Sequence, residues 1–270
     1  MLKSVSFLLL FFVLNLVNGQ NEIHDATLYK ADYLLTYLQD TTNQNSKSEE
    51  VMSLIIGKSY SLFQSENTRF NDSLIVNLST NAKYDPQMAV NIAMASKKST
   101  IFNFKIYKQQ QELLVFDKIF SDKFIYKEPL KLKCEIIVNT MQINGYLCQK
   151  ATTTFAGRNY VAWFSNTIPI NDGPYKFKGL PGLIIKIYDT KMQYVFELLS
   201  LKTYKSNFSL DLKSAQNVTK TEYFKAYNDF KNDIIGQLEQ RGITFDNSNA
   251  EQVKQSIKKS RANEIELINN

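Results

Sequence analysis

The sequence predicts a mainly β protein, a β-rich α+β fold built as a curved antiparallel sheet or partly open barrel with C-terminal helices. Three observations carry that prediction. Apolar and polar residues alternate with period two along most of the chain, which is the pattern of strands with one face buried. Eighteen Phe and 15 Tyr stand against one Trp, an aromatic content that suits pleated sheets. Successive strand candidates are joined by short turns without helical crossovers, which favours antiparallel meanders.

The chain opens with an expected export signal at residues 1–19. Lys3 supplies a positive start, and Val5 to Val17 is an almost unbroken apolar run. That run is short of the roughly 20 residues a stable membrane helix needs. Val17 and Gly19 are small enough for the −3 and −1 positions of a cleavage site, leaving Gln20 first. No cysteine stands there to accept a lipid, and no later stretch is long and apolar enough to cross a membrane as a helix. The remaining chain, 20–270, reads as a single domain large enough to bury its own core.

The elements follow in order. Tyr29, Ala31, Tyr33, Leu35 and Tyr37 share one face of a long first strand. Strands at Glu50–Ile56 and Lys58–Gln64 come next, separated by Gly57, and 65–82 is polar without pattern. Asp85-Pro86 is an N-cap followed by proline, so a short helix spans residues 86–97. Strands are then expected at Thr100–Tyr107, Leu113–Phe120, Lys123–Tyr126, Lys131–Val138, Gly145–Phe155, Asn159–Ser165, Leu183–Asp189 and Gln193–Tyr204. In the tail, Thr219 and Glu222 form a capping box. Tyr223, Tyr227, Phe230, Ile234 and Leu238 then recur at helical spacing, giving a helix over 221–241 and a more charged one over 250–261.

Charge and composition narrow the function classes. Without Lys3, 31 Lys and Arg face 26 Asp and Glu, a net charge of +5. These charges are interspersed, so they read as a solubilising surface and no nucleic-acid partner is expected. His24 is the single histidine, close to the new N-terminus in a segment expected to fray. A Ser-His-Asp or Cys-His centre and a zinc site are both poorly served, so no metal and no cofactor are expected. Cys134 and Cys148 flank an apparent hairpin centred near Met141. They would face each other across it and pair in an oxidising compartment, the alternative being two buried thiols.

The sharpest local signal is Gly173-Pro174-Tyr175-Lys176-Phe177-Lys178-Gly179-Leu180-Pro181-Gly182-Leu183-Ile184. Leu180-Pro181-Gly182-Leu183 fits a type II turn, with proline setting φ and Gly182 accepting a positive φ. Around this hexapeptide the chain resembles the GLPGLI family of exported bacterial proteins. The likeness extends to Ile56-Gly57-Lys58 with Ser61–Ser65, to Gly145–Ala151, to Gly157-Arg158 through Ala162-Trp163-Phe164, and to a closing Asn263-Glu264-Ile265-Glu266-Leu267. Glu264 replaces the family's proline, and Cys134 stands where the family carries Trp. The resemblance implies an exported, strand-rich protein of uncharacterised role, periplasmic or secreted, and supplies no catalytic residues.

Three function classes remain. Arg158, Trp163, Tyr175, Lys176 and Phe177 put cations and aromatic rings together, which suits contact with a glycan, a lipid headgroup or a protein, an envelope or outer-membrane protein among them. The bland alternative is that Trp163, Tyr175 and Phe177 fold back over the core. A half-barrel carrying an apolar ligand such as a lipid or acyl chain is the second class, and it calls for an apolar cavity of several hundred cubic ångströms. The third is a hydrolase using Asp172, Asp189 or Glu197 beside Arg158. Binding or assembly without catalysis is the leading expectation.

Overall fold

The computed structural model describes residues 22–80, 85–109, 111–130, 132–211, 215–260 and 263–267. The signal expected at 1–19 lies outside them. The strands are β1 (Glu22–Leu38), β2 (Lys47–Gly57), β3 (Ser61–Ser65), β4 (Lys105–Lys108), β5 (Glu112–Ile119), β6 (Asp122–Pro129) and β7 (Glu135–Ile143). They continue with β8 (Tyr146–Phe155), β9 (Arg158–Ser165), β10 (Leu183–Asp189), β11 (Tyr194–Thr203), β12 (Asn207–Asp211) and β13 (Gln216–Asn217). Helices α1 (Glu66–Thr80) and α2 (Pro86–Ser96) interrupt the sheet, and α3 (Lys220–Asn232), α4 (Ile234–Glu239) and α5 (Asn247–Ser260) follow it.

Twelve strands lie side by side in the order β13-β6-β5-β4-β3-β2-β1-β11-β10-β9-β8-β7. Two meanders therefore meet where β1 pairs with β11. Every pairing is antiparallel except that of β13 with β6. Among the described residues the two end strands do not pair with each other, so the sheet is not closed; β12 pairs with the start of β1.

Alternation along the strands explains where the core lies. Ala31, Tyr33, Leu35 and Tyr37 are buried with Leu54, Phe63, Ile106, Val115, Tyr160 and Phe196 in one cluster that spans both meanders. Burying side chains of this size contributes about 1.5–3 kcal/mol each. The opposite face carries a small cluster of Ile55, Leu62 and Tyr107. The concave face is covered from the C-terminal side: Tyr223 on α3 meets the rings of Phe124 and Tyr126 at 5.9 and 5.1 Å.

Several expectations are corrected. Residues 66–80, read as patternless, form α1. Its first turn is capped by Ser65, whose Oγ accepts from the Asn67 and Thr68 amides at 3.1 and 3.2 Å. The helix buries only Thr68 and Leu78, which is why no apolar stripe announced it. The strand expected over 100–107 is confined to β4, with Phe102 and Phe104 packing ahead of it. The tail helix over 221–241 is broken at Asp233 (φ −130°, ψ 59°), whose carboxylate starts α4 by accepting from the Gly236 amide at 3.1 Å. His24 is not in a loose end; it lies in β1 opposite Ser209.

The cysteines are both free. The β7–β8 hairpin turns at Asn144-Gly145, where φ values of 50° and 83° make the primed turn that suits hairpins. That turn, three residues beyond Met141, places Cys148 opposite Met141. Cys134 precedes β7 and lies beside the Thr153 hydroxyl. Burial pushes both thiols up, Cys148 to about 11.

Candidate functional site: the motif loop and the closing segment

Residues 166–182 form the long loop between β9 and β10 that carries the motif. It returns along its own start: Leu183 N donates to Ile168 O at 3.1 Å and Ile184 N to Asp172 O at 3.0 Å. Gly182 does not take the positive φ expected of a type II turn; in this loop that conformation falls to Gly179 (φ 110°) and Tyr175 (φ 51°). Gly182 is required for a different reason. A Cβ there would lie 2.2 Å from the Ser165 carbonyl oxygen. At Gly173 the same atom would meet Ile184 Cδ1 at 2.5 Å. The motif glycines thus let two backbone segments lie closer than side chains permit.

A bulge in β10 between Ile184 and Lys186 turns Ile184 and Ile185 both inward. Tyr33 reaches across from β1 and donates to the Ile184 carbonyl at 2.7 Å.

Three buried polar knots fix the loop. In the first, Lys108 on β4 donates to Asp172 Oδ1 at 2.6 Å and to the Gly173 carbonyl at 2.5 Å. Ser61 Oγ donates to Asp172 Oδ2 at 2.5 Å, and Lys178 stands 3.9 Å from the same oxygen. Burial pulls the Lys108 pKa down and Lys178 adds to that, while Asp172 opposes both.

In the second, Lys176 lies between Glu128 and Glu266, 2.5 Å from Glu266 Oε1. Tyr175 Oη donates to Glu266 Oε1 at 2.6 Å. Lys220, the first residue of α3, bridges Glu128 at 2.6 Å and Glu266 at 2.9 Å. Burial alone would raise the Glu266 pKa, but Lys176 and Lys220 hold it at about 2. Burial likewise disfavours charge on Lys176, and the two glutamates overcome it and hold its pKa above the ordinary lysine value.

Arg158 organises the third. Its Nη1 donates to Gln193 Oε1 at 2.6 Å and to Asp189 Oδ2 at 3.5 Å. Its Nη2 donates to Asn263 Oδ1 at 2.7 Å and the Glu264 carbonyl at 2.6 Å, and its Nε to the Ile265 carbonyl at 3.1 Å. Asn263 in turn donates to the Leu38 carbonyl at 2.7 Å. The closing segment 263–267 is therefore bound to the sheet by Arg158 and to the motif loop by Lys176 and Tyr175.

The residues expected to present a binding surface are all turned inward. Arg158, Trp163, Tyr175, Lys176 and Phe177 are no more than 8% exposed. Trp163 and Phe177 are core residues, and Phe177 packs on Tyr160 at 4.7 Å. The three carboxylates considered for hydrolysis do not share a cleft. Asp172 is held by Lys108; Asp189 accepts from the Gln193 and Tyr194 amides at 2.8 and 2.6 Å; Glu197 pairs with Lys186 at 2.7 Å. The Lys186 hydrogen bond lowers the Glu197 pKa, the wrong direction for a general acid.

Sequence reasoning missed Lys108 and Glu128, polar residues among the apolar ones of β4 and β6, and gave Ser61 no role. Asn263 and Glu266 stand in the closing segment that resembles the family's, but nothing in the local sequence assigns them a role.

Two recesses flank these knots. One, of about 130 Å³, lies on the concave face among Phe102, Phe104, Tyr175, Tyr194, Tyr223 and Phe224. It is far below the several hundred cubic ångströms that a carrier of acyl chains calls for. The other is a groove of about 850 Å³ at one end of strands β2 to β5, between the β2–β3 turn, the β4–β5 turn and the motif loop. Lys58, Gln111, Asn171 and Lys178 line it, with Ser61 and Asp172 on its floor.

Residues 156–186 match the model of a family described as a protein of unknown function (Porph_ging), the GLPGLI family, a short and partial match centred on the motif loop. No curated protein matches the chain. Among solved structures it is similar to that described as "Structure of PNGF-II in P21 space group". The TM-score is 0.51 and the identity 16%, over 74% of this chain and 33% of that one. The C2 crystal form of PNGF-II aligns with a TM-score of 0.48 and 16% identity, over 72% of this chain and 31% of that one. The chain thus spans about a third of the PNGF-II chain, and the likeness is one of fold.

Proposed function

We propose that the protein is a non-enzymatic binding or assembly factor of the cell envelope, and that the groove beside the motif loop is its contact site. The observation that carries this reading is the double use of Asp172. Its pairing with Lys108 and Ser61 fixes the motif loop, and the loop so fixed forms one wall of the groove. A groove of about 850 Å³ with a polar floor falls within the size of ordinary recognition sites. Rim groups Lys58, Gln111, Asn171 and Lys178 offer donors and acceptors to a polar segment of another envelope protein. Export through the expected 1–19 signal would put the protein in the compartment where such partners reside.

Site-specific crosslinking tests this. A photoreactive residue at Gln111, on the rim, should give one defined protein adduct in envelope preparations, and the same residue at the exposed Lys225 of α3 should not. Absence of a Gln111-specific adduct, or the same adduct from both positions, would overturn the reading.

A further inference from the structure

The recess on the concave face is walled by two groups of aromatic rings. Phe102 and Phe104, ahead of β4, and Tyr175 of the motif loop supply the first. Their rings meet edge to face, Phe102 with Phe104 at 5.9 Å and Phe104 with Tyr175 at 5.5 Å. Tyr126 of β6 with Tyr223 and Phe224 of α3 supply the second. Tyr126 lies 5.1 Å from Tyr223, and Tyr223 meets Phe224 edge to face at 5.1 Å. Rings attract one another at centroid distances of about 4.5–7 Å, so walls of this kind suit a further ring. The volume of about 130 Å³ sets its size: an apolar cavity of about 150 Å³ takes a single benzene. Ile101, 37% exposed, and the half-buried Asn103 and Phe224 leave the recess open to solvent.

One polar group on this wall is unused. Tyr175, Tyr194 and Tyr223 each donate within the protein, to Glu266 at 2.6 Å, to the Asn263 carbonyl at 2.7 Å and to Asp117 at 2.7 Å. Tyr126 is 4% exposed, yet its hydroxyl has no hydrogen-bond partner among the described residues. A buried hydroxyl in that state is unfavourable until water or a ligand meets it. Burial, and after it the charges of Glu266, Glu128 and Asp117, push its pKa well above the ordinary tyrosine value, so it stays a protonated donor. It calls for an acceptor on the edge of an apolar ring.

Charge excludes other occupants. Asp117, Glu264 and Glu266 line the recess against the ammonium of Lys176, which opposes a carboxylate ligand. A cation finds the ring faces already used: Lys176 Nζ lies 5.5 Å from the centres of both Tyr126 and Tyr175, and Lys220 Nζ 5.8 Å from that of Phe224. We infer that the recess is a binding site for one neutral aromatic ring bearing a hydroxyl, a free phenol or the side chain of a partner's tyrosine, packed among Phe104, Tyr175 and Tyr223 and hydrogen-bonded by Tyr126. It shares no lining residue with the groove and stands or falls apart from the groove reading.

Titration of the protein with p-cresol, followed through its amide resonances in nuclear magnetic resonance spectra, tests the inference. Saturable shifts are expected at Asn103, Tyr126 and Tyr223. Toluene, the same ring without the hydroxyl, should bind about fivefold more weakly, the worth of one hydrogen bond. Cyclohexanol, which keeps the hydroxyl and lacks the aromatic ring, should lose about as much. Tyr126→Phe keeps the ring and breaks no hydrogen bond among the described residues. It should lower p-cresol to the affinity of toluene, with toluene binding and the melting curve unchanged. A pentapeptide with one central tyrosine among glycines separates the two sources: tighter binding than p-cresol assigns the site to a partner's side chain, weaker binding to a free phenol. No saturable shift at these amides, equal affinity for p-cresol and toluene, or undiminished p-cresol binding by Tyr126→Phe overturns the proposal. So does tighter binding of benzoate or tetramethylammonium than of p-cresol, because a charged ligand would then be the occupant.

Discussion

The motif loop and the α1–α2 hairpin treat the same kinds of side chain in opposite ways. Around the loop, lysine, arginine and carboxylates are buried and neutralise one another: Lys108 is 0% exposed, Lys176 2% and Arg158 5%. On the hairpin formed by α1 and α2, the apolar side chains of Ile75, Val76, Met88, Val90 and Met94 are at least 48% exposed, and Lys97 and Lys98 beside them are exposed too. The first arrangement is costly unless every charge is paired, because an ion stripped of its partner in the interior loses several kcal/mol. It therefore ties distant parts of the chain into one unit. The second contributes little to folding, because apolar surface left in water gains nothing. The difference teaches that the motif loop is where this fold is locked together, while the hairpin carries apolar surface that the fold leaves unburied.

The sharpest way to break this comparison is at Arg158. Arg158→Ala removes five hydrogen bonds or ion contacts, three of them to residues 263–265. A loss of about 4 kcal/mol in unfolding free energy is expected from breaking a buried pair. Chemical denaturation should register it, and protease should nick the closing segment first. A loss below about 1 kcal/mol would show that the segment is held by other means.

Gly182→Ala comes next. Its Cβ would press on the Ser165 carbonyl at 2.2 Å, and backbone cannot swing aside as a side-chain end can. Overpacking of this kind should cost about 3 kcal/mol by thermal melting. Gly145→Ala makes a useful contrast. Its Cβ would meet nothing within 4 Å, so any cost there arises from φ 83° alone.

Much of the sheet was legible because alternation survives wherever one face is buried. β9, β10 and β11 lie within a residue of their expected limits, β1 starts seven residues before the expected Tyr29, and the capping box at Thr219 was read correctly. α1 was invisible because a helix exposed on most sides has no apolar stripe to betray it. The cysteine pairing failed on register: the hairpin turns at Asn144-Gly145 and not at Met141, which sets Cys148 opposite Met141, seven residues from Cys134. The site was misread for a more general reason. Cations and rings crowded into one loop describe a binding surface and a buried knot equally well. Their partners, Glu128 and Glu266, lie 48 residues before and 90 after Lys176, beyond any local pattern.

Glu266 gives a milder test through pH. Its pKa is near 2 against an ordinary 4.5. A carboxyl depressed by folding adds stability that is complete above the unfolded value and disappears as pH falls through the folded one. Stability should therefore decline between about pH 5 and 2. Glu266→Gln should cost about 2 kcal/mol at pH 7, the worth of a charged hydrogen bond, and flatten part of that decline. Glu66, also held near 2 despite burial by Arg69 and Lys30, accounts for some of the remaining slope. If the slope in Glu266→Gln equals that of the wild type, the second knot is not intact in solution.

The smallest expected effect lies on the hairpin. Met94 is 74% exposed, so Met94→Ser removes no buried contact and should alter unfolding free energy by less than about 0.5 kcal/mol. A neutral result in dilute buffer is what distinguishes a surface kept for something outside the chain from one that the fold needs. Ile75→Ser and Val90→Ser, at 57 and 50% exposure, extend the test to both helices. A loss above about 1 kcal/mol in any of the three would mean that the hairpin packs onto its own sheet, and the contrast with the motif loop would collapse. If all three are neutral, the apolar hairpin owes its composition to contacts that the isolated chain does not make.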